Sequence, residues 1–245
     1  MHAIEIPTND GTCPAYVDHP TGPGPWPAVL VFMDGVGIRP AMLEVAERLA
    51  RHGYFVLLPD LYYRSGAYAS MDPKTVFTDP EKRKVLTEQF LAKATPDNVT
   101  ADTRACLDYL AKEPRVKPGG IGTTGYCFGG SLSLRAAGIF PDRIIAAASY
   151  HGSHLATDEP TSPHLLAPQI RARVYVGGAT GDPLFPDAMK QRLEEALTRA
   201  RVDHQIETYP AKHGWVIRDM PVYDEAAAER HWQTLLALFA ATLPA

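Results

Sequence analysis

Three residue types in a fixed order along the chain could together break an acyl bond: a thiol, a carboxylate and an imidazole. The segment Gly125-Tyr126-Cys127-Phe128-Gly129 follows a strand-like run, Gly119 to Tyr126, and precedes a helix-like stretch, Gly130 to Phe140. A nucleophile on so sharp a strand-to-helix turn sits in strained backbone, and the residues two positions either side must be small. Glycine meets both demands here. The helix beginning just past the turn favours negative charge developing at the nucleophile. Cysteine stands where serine is usual on such a turn.

A thiol needs a base, and the base needs a group that orients it. On this kind of turn the partners follow in the order nucleophile, acid, histidine, each on a loop after a strand. Asp182 lies in Gly177-Gly178-Ala179-Thr180-Gly181-Asp182-Pro183, directly after the apolar run Ala172 to Gly177. His213 lies in Tyr209-Pro210-Ala211-Lys212-His213-Gly214-Trp215, after the strand-like Gln205 to Tyr209. Asp187 is a competing acid, but it follows Pro186 and reads better as the cap of the next helix. Free cysteine is only a few per cent thiolate at neutral pH, so His213 has to supply the activation.

The remaining candidates carry less. Three cysteines are too few and too scattered for a disulfide framework, and Cys13 and Cys106 read as buried structural thiols. Of nine histidines, His52, His204 and His231 sit on or beside regular elements and read as structural. His151 and His154, with His164 nearby, hint at a metal site. No helix fixes their spacing and no Cys or carboxylate completes the set, so no metal and no cofactor is expected.

These residues need a scaffold, and the chain supplies one. Continuous apolar runs of strand length (Ala28 to Met33, Tyr54 to Leu58, Ile144 to Tyr150) alternate with helical periods, the pattern of an α/β fold with a mostly parallel, doubly wound sheet and helices on both faces. Leu43, Ala46, Leu49 and Ala50 form one helical stripe, with Gly53 placed to end it. Met189, Leu193, Ala196 and Ala200 form another, Asp102 to Leu110 reads as a helix, and Asp224 to Leu243 closes the chain as a long one. The 245 residues, 45% hydrophobic, suffice for one substantial core, and the chain reads as a single domain over 1–245. One stretch, about 62–98, breaks the rhythm with Tyr62, Tyr63, Tyr68 and a capping-box pattern, Thr78-Asp79-Pro80-Glu81. It either fills a sheet edge or roofs a pocket as a lid.

At this point the chain resembles the dienelactone hydrolases, within the α/β-hydrolase superfamily. The matching pieces are Leu58-Pro59-Asp60-Leu61-Tyr62, Gly125 to Gly130 with its cysteine, Gly178 to Pro186, and Ala211-Lys212-His213-Gly214. The resemblance implies Cys127 as nucleophile, His213 as general base and then acid, and Asp182 as its orienting carboxylate. It implies an oxyanion hole from the backbone N–H groups of Gly35 and Phe128. It also places Asp34 where the family carries a glutamate against the resting thiol; the alternatives are a helix cap near Pro40 or a pair with Arg39. Substrate carboxylate is held in the family by arginines. Here Ile217 takes the position four after the histidine and Arg218 follows it, with Arg39, Arg64 and Arg83 as further candidates.

The expected activity is therefore hydrolysis of a small carboxylic ester or lactone through an acyl-thioester. A thioesterase or acyl transferase would use the same residues, and a silent binding protein or a redox sensor at Cys127 are the readings outside that class. Tyr150 and Trp215, after strand ends, are expected to narrow an acyl pocket together with the tyrosines of 62–98. A net charge of −4 without a basic stripe argues against nucleic acid, and no apolar run is long enough for a membrane. The acidic, polar start of the chain leaves a cytoplasmic monomer or homodimer as the expectation.

Overall fold

A computed structural model describes residues 1–244, which fall into two compact units. The first comprises Met1–Pro118 with Asp219–Pro221, and the second Gly119–Arg218 with the segment from Val222 onward.

The first unit opens with an antiparallel hairpin, β1 (His2–Thr8) and β2 (Gly11–Asp18), in which His2 faces Val17 and Thr8 faces Gly11. β2 pairs antiparallel with β4 (Phe55–Pro59), and β4 pairs parallel with β3 (Ala28–Phe32). Every residue of β3 and β4 is buried, which is why both read as unbroken apolar runs. Between them α1 (Pro40–Arg51) buries Met42, Val45, Ala46 and Leu49 along one face. The excursion holds a short 3₁₀ turn at Tyr63–Ser65, then α2 (Pro80–Val85) running into a π-helical turn at Leu86–Leu91. The cap of α2 is Asp79, whose carboxylate accepts from the Glu81 and Lys82 N–H groups. Thr78, which the capping-box pattern predicts, lies one residue outside because Pro80 occupies the first helical position. The helix expected from Asp102 begins earlier, as α3 (Pro96–Lys112) with Thr95 as its cap.

The second unit is a run of parallel strands in chain order: β5 (Ile121–Tyr126), β6 (Ile144–Tyr150), β7 (Arg173–Ala179) and β8 (His204–Tyr209). Parallel neighbours require crossovers: α4 (Phe128–Ile139) joins β5 to β6, a segment with a 3₁₀ turn at Pro163–Gln169 joins β6 to β7, and α5 (Asp187–Ala200) joins β7 to β8, while α6 (Glu225–Thr242) packs on β6 and β7. The buried face of α5 is Lys190, Leu193 and Leu197; of the predicted stripe, Leu193 is buried and Met189, Ala196 and Ala200 are half-buried beside it. The Lys190 ammonium is buried and donates to the Ala179 carbonyl, the Asp187 carboxylate and the Thr208 hydroxyl, tying α5 to the ends of β7 and β8.

One buried cluster shapes the loop after β3. Arg39, 3% exposed, donates to both oxygens of Asp34 at 2.7 and 2.9 Å, to both of Asp219 at 2.8 and 3.0 Å, and to the Gly37 carbonyl. All five of its donors are used. Burial alone would pull the guanidinium's pKa down, but the two carboxylates raise it instead. Breaking such a pair strands a charge in a dry site. Arg39→Met is expected to lose about 3–5 kcal/mol of stability, read as a lower urea midpoint, because the buried Asp34 is left with only the Val36 N–H as partner.

Candidate active site

The position of Cys127 follows from a collision that only glycine avoids. A Cβ on Gly125 would lie 1.9 Å from the Gly129 carbonyl oxygen, and one on Gly130 would lie 2.6 Å from Ser149 Oγ. Between them Cys127 stands at φ +52°, ψ −115°, a conformation that costs a non-glycine residue about 1–3 kcal/mol. Its thiol is partly exposed, whereas Cys13 and Cys106 are buried and their thiol pKa values are raised by that burial. Phe128 opens α4, so its backbone N–H is one of the four at the helix start without an intrahelical partner.

Asp182 and His213 meet. Asp182 Oδ2 lies 2.7 Å from His213 Nδ1, and Asp182 is 2% exposed. Its other oxygen accepts the Leu184 N–H at 2.9 Å, which fixes the carboxylate's rotation. The loops that carry the pair are bonded to each other: the Thr180 N–H donates to the Tyr209 and Ala211 carbonyls, and its hydroxyl also donates to Tyr209. An acceptor at Nδ1 puts the imidazole proton there and leaves Nε2 for chemistry. His213 Nε2 is buried without a hydrogen-bond partner among the described residues. Burial disfavours the charged ring, but the Asp182 hydrogen bond and then Cys127 outweigh it, raising the His213 pKa to about 10. Cys127 thus lies close enough to favour the ring's charged form.

Several expected residues have other employment. Asp34 is held by Arg39 and the Val36 N–H, the pairing alternative, so its carboxylate is not a free acceptor for a thiol. Arg39 itself is spent, and Arg64 is spent on Asp10 and the buried Asp102, so neither is available as a carboxylate clamp. Ile217 is buried, and Arg218 beside it is exposed. Tyr150 and Trp215, expected to narrow an acyl pocket, are both fully buried. The Tyr150 hydroxyl bonds the Thr234 hydroxyl at 2.9 Å, and Trp215 stacks on Tyr209 at 4.9 Å, so both are packing residues. Tyr62 is buried with its hydroxyl on the Gly35 carbonyl, holding the peptide of the expected oxyanion donor; Tyr68 bonds Asp60. No cluster of three metal-ligating side chains occurs among the described residues. No described helix is long and apolar enough to cross a membrane.

Sequence reasoning weighed His151 only as a metal ligand and missed its place beside Cys127. This histidine is buried, its backbone is left-handed at φ +38°, and its Nδ1 accepts the Cys127 N–H at 3.0 Å. Its place directly after β6, adjacent to β5, which leads into Cys127, was the available signal.

The dienelactone hydrolase family model matches residues 13–243. The chain belongs to the dienelactone hydrolase family. A Synechocystis sp. protein named "Putative carboxymethylenebutenolidase" is 29% identical over 202 residues, covering 80% of this chain and 78% of that one. A Klebsiella pneumoniae structure described as a "Putative Dienelactone Hydrolase" superposes with a TM-score of 0.85 at 26% identity, over 98% and 97% of the two chains. The dienelactone hydrolase of Anabaena variabilis shares the fold at a TM-score of 0.68 and 20% identity, over 99% and 98%. These comparisons establish an α/β-hydrolase-like fold and a hydrolase of ester bonds.

The raised pKa of His213 has a pH signature. Its folded value lies above the unfolded value of about 6.5, so the charged Asp182–His213 pair contributes its full stability below that pH. The contribution disappears as pH rises through about 10. Asp182→Asn is expected to destabilise by about 1.5–3 kcal/mol near neutral pH and by clearly less above the His213 titration. Chemical unfolding of both proteins across that range checks the sign, and the His213 NMR titration midpoint should fall in the variant.

Proposed function

We propose that this chain hydrolyses small carboxylic esters or lactones with Cys127 as nucleophile, His213 as proton carrier and Asp182 as the group that orients His213. The 2.7 Å contact between Asp182 and His213 carries the reading, because a buried carboxylate on Nδ1 commits Nε2 to the nucleophile's side of the ring. A protonated imidazole near sulfur favours the thiolate. The thiolate adds to the acyl carbon, and the helix start with the Phe128 N–H receives the carbonyl oxygen as it gains charge. Collapse breaks the C–O bond, and the alkoxide takes the proton from His213 Nε2. Neutral His213 then removes a proton from water, hydroxide adds to the thioester, and the carboxylic acid departs as the thiolate and imidazolium re-form.

The resemblance's substrate class, a carboxylated enol-lactone, requires a cationic clamp. Arg39 and Arg64 are committed to carboxylates of the protein itself, which leaves Arg218 after His213 and Arg83 on α2, both exposed, as the remaining candidate guanidiniums. This favours esters and lactones generally over one particular anionic lactone.

The test is turnover of p-nitrophenyl acetate, a neutral lactone and a carboxylated dienelactone. Cys127→Ala and His213→Ala should each lose at least about 10³-fold in kcat on whichever compound the wild type accepts. Rapid quenching of the acetate reaction should trap one acetyl group on Cys127. Turnover by His213→Ala within about tenfold of wild type would return His213 to a structural role. Transfer of the acyl group to an added thiol or alcohol faster than to water would make the enzyme a transferase on the same residues.

A further inference from the structure

His151 is a second imidazole beside the catalytic one, and the hydrolytic cycle makes no use of it. It is 1% exposed, and its ring centroid lies 5.2 Å from that of His213 and 5.0 Å from that of Trp215, edge-on to both. Its backbone N–H donates to the Gly177 carbonyl at 2.7 Å, and its left-handed φ of +38° turns the ring back toward the nucleophile. The next residue must be Gly152, since a Cβ there would meet Ser149 Oγ at 2.2 Å. Strain of this kind persists only where surrounding contacts over-determine it.

Those contacts converge on the backbone of one residue, Cys127. The Cys127 N–H is shared between His151 Nδ1 at 3.0 Å and the Tyr150 carbonyl at 3.1 Å. The Cys127 carbonyl accepts from the Ser153 N–H at 3.1 Å and the Gly130 N–H at 3.0 Å. Residues 150–153 thus grip the nucleophile's backbone from both sides. Within that grip His151 is the only side chain, and it acts as an acceptor.

We propose that His151 is a positioning residue for Cys127: its Nδ1 lone pair holds the nucleophile's N–H, and so sets where the sulfur stands relative to His213. Acceptance at Nδ1 also fixes the tautomer, with the proton on Nε2, which has no partner among the described residues. Protonating Nδ1 would break the bond to Cys127, so the geometry keeps this ring neutral. Burial, then the neighbouring His213 and His231, push its pKa well below the ordinary value in the same direction. Of two adjacent imidazoles, one is free to carry the catalytic proton and the other is reserved as an acceptor.

This inference rests on Cys127 being the acyl-accepting nucleophile, and the test separates the two. His151→Asn keeps an acceptor oxygen near the place of Nδ1 and tolerates a left-handed backbone. His151→Phe keeps a ring against His213 and Trp215 but has no lone pair. The Phe variant should lose about 30- to 100-fold in kcat on p-nitrophenyl acetate with KM within about twofold, the signature of a misplaced reacting atom. Alkylation of its Cys127 by iodoacetamide should slow about tenfold, and the Asn variant should return both rates to within about threefold of wild type. A role in stability alone would lower Tm in both variants without separating their kcat values. A fully active Phe variant, or Asn and Phe variants equally impaired, overturns the proposal; should the Phe variant not fold, His151→Ala takes its place under the same expectation. Absence of ester turnover in the wild type would remove the hydrolase mechanism, while the alkylation rates of the three proteins would still decide whether His151 positions Cys127.

Discussion

Between β5 and α4 the chain turns from strand to helix at a single residue, and the rest of the site is arranged around that turn. The backbone closes so tightly that no side chain larger than hydrogen fits at Gly125, and Cys127 is forced to positive φ. A residue in that conformation cannot hold itself there. Its N–H is taken by the end of β6, its carbonyl by Ser153 and Gly130, and Gly130 in turn lies against Ser149 and Gly152. The small residues of this region follow from the same turn.

The second organising feature is how charge is divided among imidazoles in a dry place. Burial penalises a charged ring wherever it sits, so the environment decides which histidine can be charged. His213 has a buried carboxylate on Nδ1 and a thiol on the other side, and its charged form is favoured. His151 accepts a backbone N–H instead, and His231 packs against Tyr126 and Tyr150 with its Nε2 on the Tyr126 hydroxyl. Three rings close in space thereby have different work, and the difference comes entirely from what each nitrogen faces.

Arginines show the reverse case, in which chemistry that looks available is already committed. Arg39 and Arg64 follow strand ends, as ligand-binding arginines do in α/β folds. Each instead bridges two carboxylates of its own unit, Asp34 with Asp219 and Asp10 with Asp102. A buried guanidinium requires counter-charges, and those partners come from residues far apart in sequence. Asp219 is 180 positions from Arg39.

Much was legible in the sequence alone. The buried strands announced themselves as apolar runs, and the Gly-bracketed cysteine, the loop acid and the loop histidine stood out because glycine and strand-end positions are dictated by local sterics. The opening hairpin was not read from the sequence, because β1 is so largely exposed that its alternation is faint. Tertiary structure alone decided the rest. Whether Asp34 faces a thiol or an arginine, whether Tyr150 and Trp215 line a pocket or pack in a core, and that Lys190 turns inward to pin two strand ends all depend on partners distant in the chain. His151 belongs with these. Residue type and spacing prescribe what a side chain can do, but its charge, tautomer and availability are set by the neighbours that folding brings within hydrogen-bond reach.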